Sequence, residues 1–402
     1  MIHPILVRVG GAAVFEIFDQ HRPADRVLES CFKSHRKLGS RDRRWIAERV
    51  YNVCRHWRRL QYLLGEPRPS ELQSQALILL DWYFESGEYL FDEFVGLGFA
   101  SKSEIESRLP GARARQEIWY SYPDWLFQFC REQRGDDRWG KDIQELDQQA
   151  PVDLRVNLSR KSREEVQQDL ALEDCDTYLL EGQPAGLSLR KRKNIFSSKT
   201  FQSGFFEVQD RASQEVARLL APEPGMTVID SCAGAGGKTL HMADLMRNKG
   251  RIIALDVHSR RLEELRERSR RDGFSLIETR LIESSKVLKR LHKRADRLLL
   301  DVPCSGSGVW RRNPDAKWWL TPDKLAHLQG TKKEILRTHS ALVKPGGRML
   351  YSTCSIFPGE NQQIVREFLN QIPEFKLETE VSLGPSQREG DGFFMALFQR
   401  NF

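Results

Sequence analysis

Between Gln209 and Tyr351 short apolar runs alternate with amphipathic stretches, and no other feature of the 402 residues limits the fold as tightly. The runs are Thr227-Val228-Ile229, Ile252-Ile253-Ala254-Leu255, Ser275-Leu276-Ile277, Leu298-Leu299-Leu300 and Met349-Leu350-Tyr351, each of strand length. Helical spacing fills the gaps over residues 239–246, 258–271 and 323–342. Strands that alternate with helices pair in parallel and are covered on both faces, so this part is α/β. Residues 375–380 and 392–399 read as two further strands that close the sheet.

The preceding half has a different texture. Over residues 15–108 apolar positions recur at helical spacing, as in Ile46, Ala47, Val50, Tyr51 and Cys54, with punctuation at Gly39, Pro67-Arg68-Pro69 and Gly96-Leu97-Gly98. Residues 122–205 hold two short strand candidates, Asp153-Leu154-Arg155-Val156 and Thr177-Tyr178-Leu179-Leu180, and a helix over 163–171. Three domains are expected: an all-helical unit over 1–120, a small α+β module over 121–205 and the α/β domain over 206–402.

Apolar stretches are far shorter than the ~20 residues that span a bilayer. The first residues lack the basic, apolar and small-residue sequence of a leader, so a cytoplasmic location is expected. Seven cysteines without Cys-x-x-Cys or finger spacing predict neither a disulfide framework nor a metal site. The formal charge of +7 is concentrated in three clusters. The first runs from Arg22 to Arg59, the second is Arg190-Lys191-Arg192-Lys193, and the third is Lys286, Lys289, Arg290, Lys293 and Arg294. Three such clusters favour a nucleic-acid partner over solvated helix faces.

Directly after the first α/β strand comes Asp230-Ser231-Cys232-Ala233-Gly234-Ala235-Gly236-Gly237-Lys238-Thr239, leading into a helix. Small residues let backbone approach a ligand, and a helix N-terminus offers free N–H groups. Asp256 closes the next strand about 20 residues beyond the loop, the spacing at which a carboxylate meets ribose hydroxyls, so a nucleoside-containing cofactor is expected. A nucleotide-hydrolysing P-loop is disfavoured, because Cys232 stands where that pattern needs its first glycine. Two cysteines, Cys304 in Asp301-Val302-Pro303-Cys304-Ser305-Gly306-Ser307-Gly308 and Cys354 in Tyr351-Ser352-Thr353-Cys354-Ser355, each follow a strand run, which puts both thiols at the ligand crevice.

These residues carry a resemblance. Together with Phe206-Glu207-Val208-Gln209-Asp210-Arg211-Ala212-Ser213, Lys344-Pro345-Gly346-Gly347, Glu360-Asn361 and Asp391-Gly392-Phe393-Phe394-Met395-Ala396, the motifs resemble the RsmB/Sun family of S-adenosylmethionine-dependent RNA cytosine-C5 methyltransferases. The resemblance implies a Rossmann-like class I methyltransferase domain, preceded by the small α+β module and a NusB-like RNA-binding domain that includes Ser40-Arg41-Asp42-Arg43-Arg44. The family loop usually reads Ala-Ala-Pro-Gly-Gly-Lys, and here Ala235 replaces its proline, which loosens the loop without removing a ligand.

Residue by residue, the resemblance implies that Cys232, Ala233, Gly234, Ala235, Gly236, Gly237 and Lys238 wrap the methionine end of S-adenosylmethionine. Asp256 binds its ribose, Glu283 approximately matches the acid near adenine, and Asp301 contributes to both cofactor and base. Lys238 has the equal alternative of pairing with Asp301. Cytosine C5 becomes nucleophilic only when a thiolate adds to C6, and the resemblance gives that role to Cys354, with Cys304 assisting breakdown of the adduct. DNA cytosine-C5 enzymes attack with the Pro-Cys thiol instead, which leaves Cys304 as the alternative nucleophile. Trp310, Trp318 and Trp319 read as core, and Arg311 and Arg312 as phosphate contacts. The implied substrate is RNA, ribosomal (small-subunit) before transfer RNA, bound by a monomer without metal. The alternative outside enzymology is a noncatalytic ribosome-assembly factor.

Overall fold

The computed structural model describes residues 2–66, 70–91, 100–386 and 390–402, so Pro67-Arg68-Pro69 and Gly96-Leu97-Gly98 lie outside the described residues. The chain forms two compact units. The first joins Met1–Gln149 to a later segment, Trp310–Thr321. Its described elements are helical, with the main ones at Pro4–Asp19, Ala24–Ser34, Ser40–Leu64, Glu71–Ser86, Lys102–Ala114, Asp124–Arg134 and Asp136–Leu146. Helicity thus begins at Pro4, earlier than the expected residue 15, because proline fits the first helical position and the His3 ring accepts the Ile5 N–H at 3.2 Å. Ser40–Leu64 stops at Gly65, whose φ of +85° closes the helix in the left-handed region. Val7, Val14, Ile17, Val50, Val53 and Leu77 form part of its core at zero exposure.

Four strands open the second unit: β1 (Asp153–Val156), β2 (Thr177–Leu179), β3 (Gly186–Leu189) and β4 (Phe206–Val208). They form an antiparallel sheet in the order β2-β3-β1-β4, with the Arg163–Leu172 helix packed on it. The sheet extends to Val208, just past the boundary proposed at 205. Neither β3 nor β4 is among the strands expected from sequence.

Seven more strands follow: β5 (Thr227–Asp230), β6 (Arg251–Asp256), β7 (Ile277–Leu281), β8 (Ala295–Asp301), β9 (Val343–Thr353), β10 (Phe375–Leu383) and β11 (Phe393–Arg400). They lie in the order β10-β11-β9-β8-β5-β6-β7. The five from β5 to β9 run parallel, while β11 and β10 add antiparallel at one side. Val228, Ile252, Leu298 and Met349 are fully buried, as strands covered on both faces require. β7 starts at Ile277, not Ser275 as expected. The helix Ser259–Asp272 ends at Gly273, and Asn248 Oδ1 takes the N–H groups of Ser275 and Leu276, which keeps those two residues out of the strand.

The chain passes from β5 to β6 and β7 on one side, then returns to β8 beside β5 and moves to β9 on the other. The carboxyl ends of β5 and β8 therefore flank a topological switch point, where open α/β sheets bind ligands. Asp230, Asp256, Asp301 and Thr353 terminate β5, β6, β8 and β9. No helix among the described residues is long and apolar enough to cross a membrane.

Candidate active site

The two cysteines singled out by sequence meet at the ends of β8 and β9, with Cys304 Sγ 3.2 Å from Cys354 Sγ. Both strands run parallel in register, Asp301 opposite Ser352, so each loop leaves the sheet at the same level. The loops are stitched together: Val302 N donates to Ser352 O (3.1 Å), Gly308 N to Cys354 O (2.9 Å) and Ile356 N to Ser307 Oγ (2.9 Å). Gly308 is a glycine for a steric reason, since a Cβ there would lie 2.2 Å from the Gly392 carbonyl oxygen. Thr353 donates to Asn361 Oδ1 at 2.6 Å, and Asn361 Nδ2 donates to Ser355 O at 2.8 Å, which fixes the turn around Cys354.

Two thiols this close hold one proton between them more readily than two or none. The S–H of Cys354 holds the Cys304 thiol below the ordinary range, against the effect of burial. The hydrogen bond to Cys304, together with burial, pushes the Cys354 thiol well above that range. Of the two sulfurs, Cys304 therefore gives up its proton more readily than Cys354. All seven cysteines are free thiols, and burial raises that of Cys232 well above normal.

Asp301 accepts from Lys238 Nζ at 2.6 Å and from Ser352 Oγ at 2.8 Å. Of the two alternatives for Lys238, the pairing with Asp301 is the one seen. Burial opposes the Lys238 ammonium, but Asp301, Cys354 and Asp230 outweigh it and hold its pKa above normal. Asp256 accepts from Gly234 N (2.8 Å) and His258 N (2.9 Å), and Val257 beside it is 63% exposed. Gly234 has φ +53° and open space where a Cβ would stand, whereas a Cβ on Gly236 (φ +90°) would strike Leu265 at 2.1 Å. The loop from Cys232 to Lys238 thus forms an open cradle over the sheet end. Asp230 Oδ1 at the base is buried without a hydrogen-bond partner. An open backbone cradle, a fixed carboxylate and an exposed apolar residue next to it fit a nucleoside-bearing ligand. Glu283 follows β7 and is exposed.

Three expectations change. Arg311 is only 3% exposed and its carbonyl accepts from Arg55 Nη2, so it is built into the helical unit rather than offered to phosphate. Arg49 and Arg55 of the first basic cluster are likewise buried, Arg49 against Asp81 and Glu85. In the second cluster Arg192 donates to Ala150 O and Lys193 to Glu173 O and Asp174 O, so both serve the fold. By contrast Lys286, Lys289, Arg290, Lys293 and Arg294 are exposed and without an ion-pair partner among the described residues. Trp310 is buried and Trp318 Nε1 donates to Cys54 O at 2.8 Å, in line with a core role.

Sequence reasoning missed Lys332, Ser305 and Ser355, and gave Glu360 no role, although all four lie against the cysteine loops. A signal existed for Lys332. It shares the inward stripe of the helix Pro322–His339 with Leu325, Leu336 and His339, an unusual place for a lysine.

Residues 217–399 match the family described as 16S rRNA methyltransferase RsmB/F, and residues 122–196 match its ferredoxin-like domain. A probable ribosomal RNA small subunit methyltransferase B of Synechocystis is 37% identical over 69% of this chain and 66% of the relative. One from Coxiella burnetii is 31% identical over 70% of this chain and 69% of the relative. The chain thus aligns with about two thirds of the length of these relatives. The solved structure of PH0851 is similar over 100% of this chain and 99% of its own, with TM-score 0.81 and 26% identity.

Proposed function

We propose that this chain, which belongs to the RsmB/F family of 16S rRNA methyltransferases, methylates C5 of a cytidine in small-subunit ribosomal RNA through a covalent bond from Cys354 to C6. The observation that carries the reading is the 3.2 Å approach of two thiols beside a carboxylate at the sheet's switch point. S-Adenosylmethionine, when bound, supplies an electrophilic methyl group. The loop from Cys232 to Lys238 would hold its methionine end and Asp256 its ribose, with Glu283 toward adenine.

The chain's own residues then divide the work. Cytosine C5 is a poor nucleophile until a sulfur adds at C6 and makes the ring enamine-like. Cys354 gives up its proton to solvent and attacks as the thiolate, with the Cys304 sulfur 3.2 Å away beside the adduct that forms. Asp301, held by Lys238 and Ser352, meets the N3/N4 edge of the base, where charge changes as the adduct forms. After methyl transfer Cys304, as its thiolate, takes the remaining proton from C5, and the C6–S bond breaks to free Cys354. The base must leave its stack to be attacked from its face, which costs least in an unpaired RNA segment.

Opposite outcomes for the two cysteines test this. With substrate RNA and S-adenosylmethionine, Cys304→Ala is expected to methylate and then stall, giving a nuclease-sensitive retarded protein band on a denaturing gel. Cys354→Ala should give none. A stable adduct in Cys354→Ala alone would move the nucleophile to Cys304, and methyl transfer surviving both substitutions would remove covalent catalysis.

A further inference from the structure

Beneath the two cysteine loops lies an ion pair with no exposure at all: Lys332 Nζ donates to Glu360 Oε1 at 2.6 Å, and both side chains are fully buried. Two charges withdrawn from water lose their hydration, and apolar residues of the same volume would pack without that loss. The pair is therefore a weak device for stability alone. Glu360 directs its remaining acceptor capacity at the loops. Ser305 N donates to Oε1 at 3.0 Å, and the hydroxyls of Ser305 and Ser355 both donate to Oε2. Ser305 directly follows Cys304, and Ser355 directly follows Cys354. The Glu360 backbone is itself held, because Tyr351 OH donates to its carbonyl at 2.6 Å.

We propose that the Lys332–Glu360 pair is the positioning element of the two-thiol site: one carboxylate clamps the residue after each cysteine, and so fixes the approach of the sulfurs. The inference rests on the two-thiol reading above. A carboxylate suits the task because it accepts from four donors here, and Lys332 makes that charge tolerable in the interior. Glu360 opposes a thiolate on Cys304 and Lys332 favours it. The other groups facing the thiols are Asp301 at the end of β8, Lys238 on the helix Gly237–Leu245 and Tyr351 on β9. Glu360 is the charged group that also holds both loops, and Lys332 holds Glu360.

The test is alkylation of full-length protein by iodoacetamide as a function of pH, without RNA or cofactor, each cysteine being followed by mass spectrometry. Lys332→Met should move the midpoint of the faster thiol upward by about one pH unit or more, and Glu360→Gln should move it downward. The double variant Lys332→Met/Glu360→Gln leaves no unpaired buried charge. It should bring the midpoint back toward wild type while lowering kcat for methyl transfer about tenfold with KM for RNA unchanged. Wild-type midpoints in folded single variants would overturn the proposal. Where the single variants do not fold, a double variant with wild-type kcat would overturn it and a lowered kcat would support it. Failure of the underlying reading has another signature: methyl transfer that survives Cys304→Ala and Cys354→Ala while the alkylation midpoints still shift.

Discussion

Asp230 and Asp256 end neighbouring strands, yet their surroundings give them different chemistry. Asp256 has both oxygens on backbone N–H groups of the loop and of His258, which fixes the carboxylate at the strand end. Asp230 is buried, accepts from Thr239 Oγ1 at 2.7 Å, and leaves its other oxygen without a partner. Burial, with Asp301 nearby, pushes its pKa up to about 7. Its folded pKa is thus above the ordinary carboxylate value, so folding favours the protonated form. That contribution is full below about pH 4 and is lost as pH rises to about 7. Neutralising the two acids should therefore separate stability from binding. Asp230→Asn is expected to gain about 2 kcal/mol relative to wild type at pH 8 and nothing at pH 4, read as unfolding midpoints at both. Asp256→Ala should weaken S-adenosylmethionine binding in calorimetry by about 1.5–3 kcal/mol for each charge-assisted hydrogen bond removed. A gain for Asp230→Asn that does not depend on pH, or an unchanged affinity for Asp256→Ala, would refute the corresponding assignment.

At the scale of elements, the cradle depends on two glycines in the left-handed region that differ in what surrounds them. Gly236 caps the helix Gly237–Leu245 with φ +90° and sits against Leu265, whereas Gly234 faces open space. Gly236→Ala should cost about 2–4 kcal/mol in urea unfolding, from left-handed strain plus overpacking. Gly234→Ala should cost only the strain, about 1–2 kcal/mol, and lose more in cofactor affinity than in stability. Equal losses in both readouts would contradict the cradle. The central parallel strands were legible in sequence because burial on both faces writes them as continuous apolar runs, and their carboxyl ends carried Asp256, Asp301, Cys304 and Cys354 into view. β3 and β4 were not, because Gly186-Leu187-Ser188-Leu189 and Phe206-Glu207-Val208 are short and become strands through pairing, β3 with β1 and β2 and β4 with β1. Ser305, Ser355 and Lys332 escaped for a related reason: they matter through partners distant in sequence.

For the whole molecule, the later segment Trp310–Thr321 is part of the helical unit, where Lys317 donates to Arg55 O and Tyr120 O and burial lowers its pKa to about 7. Removing residues 1–120 would strip these partners from Trp310–Thr321, so such a truncation would cut through the helical unit instead of removing a separable domain. Charge substitution is the cleaner experiment, because the cations differ in what they hold. Arg49 is buried between Asp81 and Glu85, and Arg49→Met should cost about 3–5 kcal/mol by leaving a buried acid unpaired. Lys286, Lys289 and Arg290 are exposed on and beside the short helix Ser285–Lys289 after β7, with no ion-pair partner among the described residues. Their replacement by glutamate should leave the unfolding midpoint and cofactor affinity within error. On the proposed reading it should weaken RNA binding and flatten the dependence of log K on log salt by about 0.7 for each phosphate that is no longer neutralised. Filter-binding titrations across salt concentrations would measure both quantities, and an unchanged slope would mean that this face does not meet the RNA backbone.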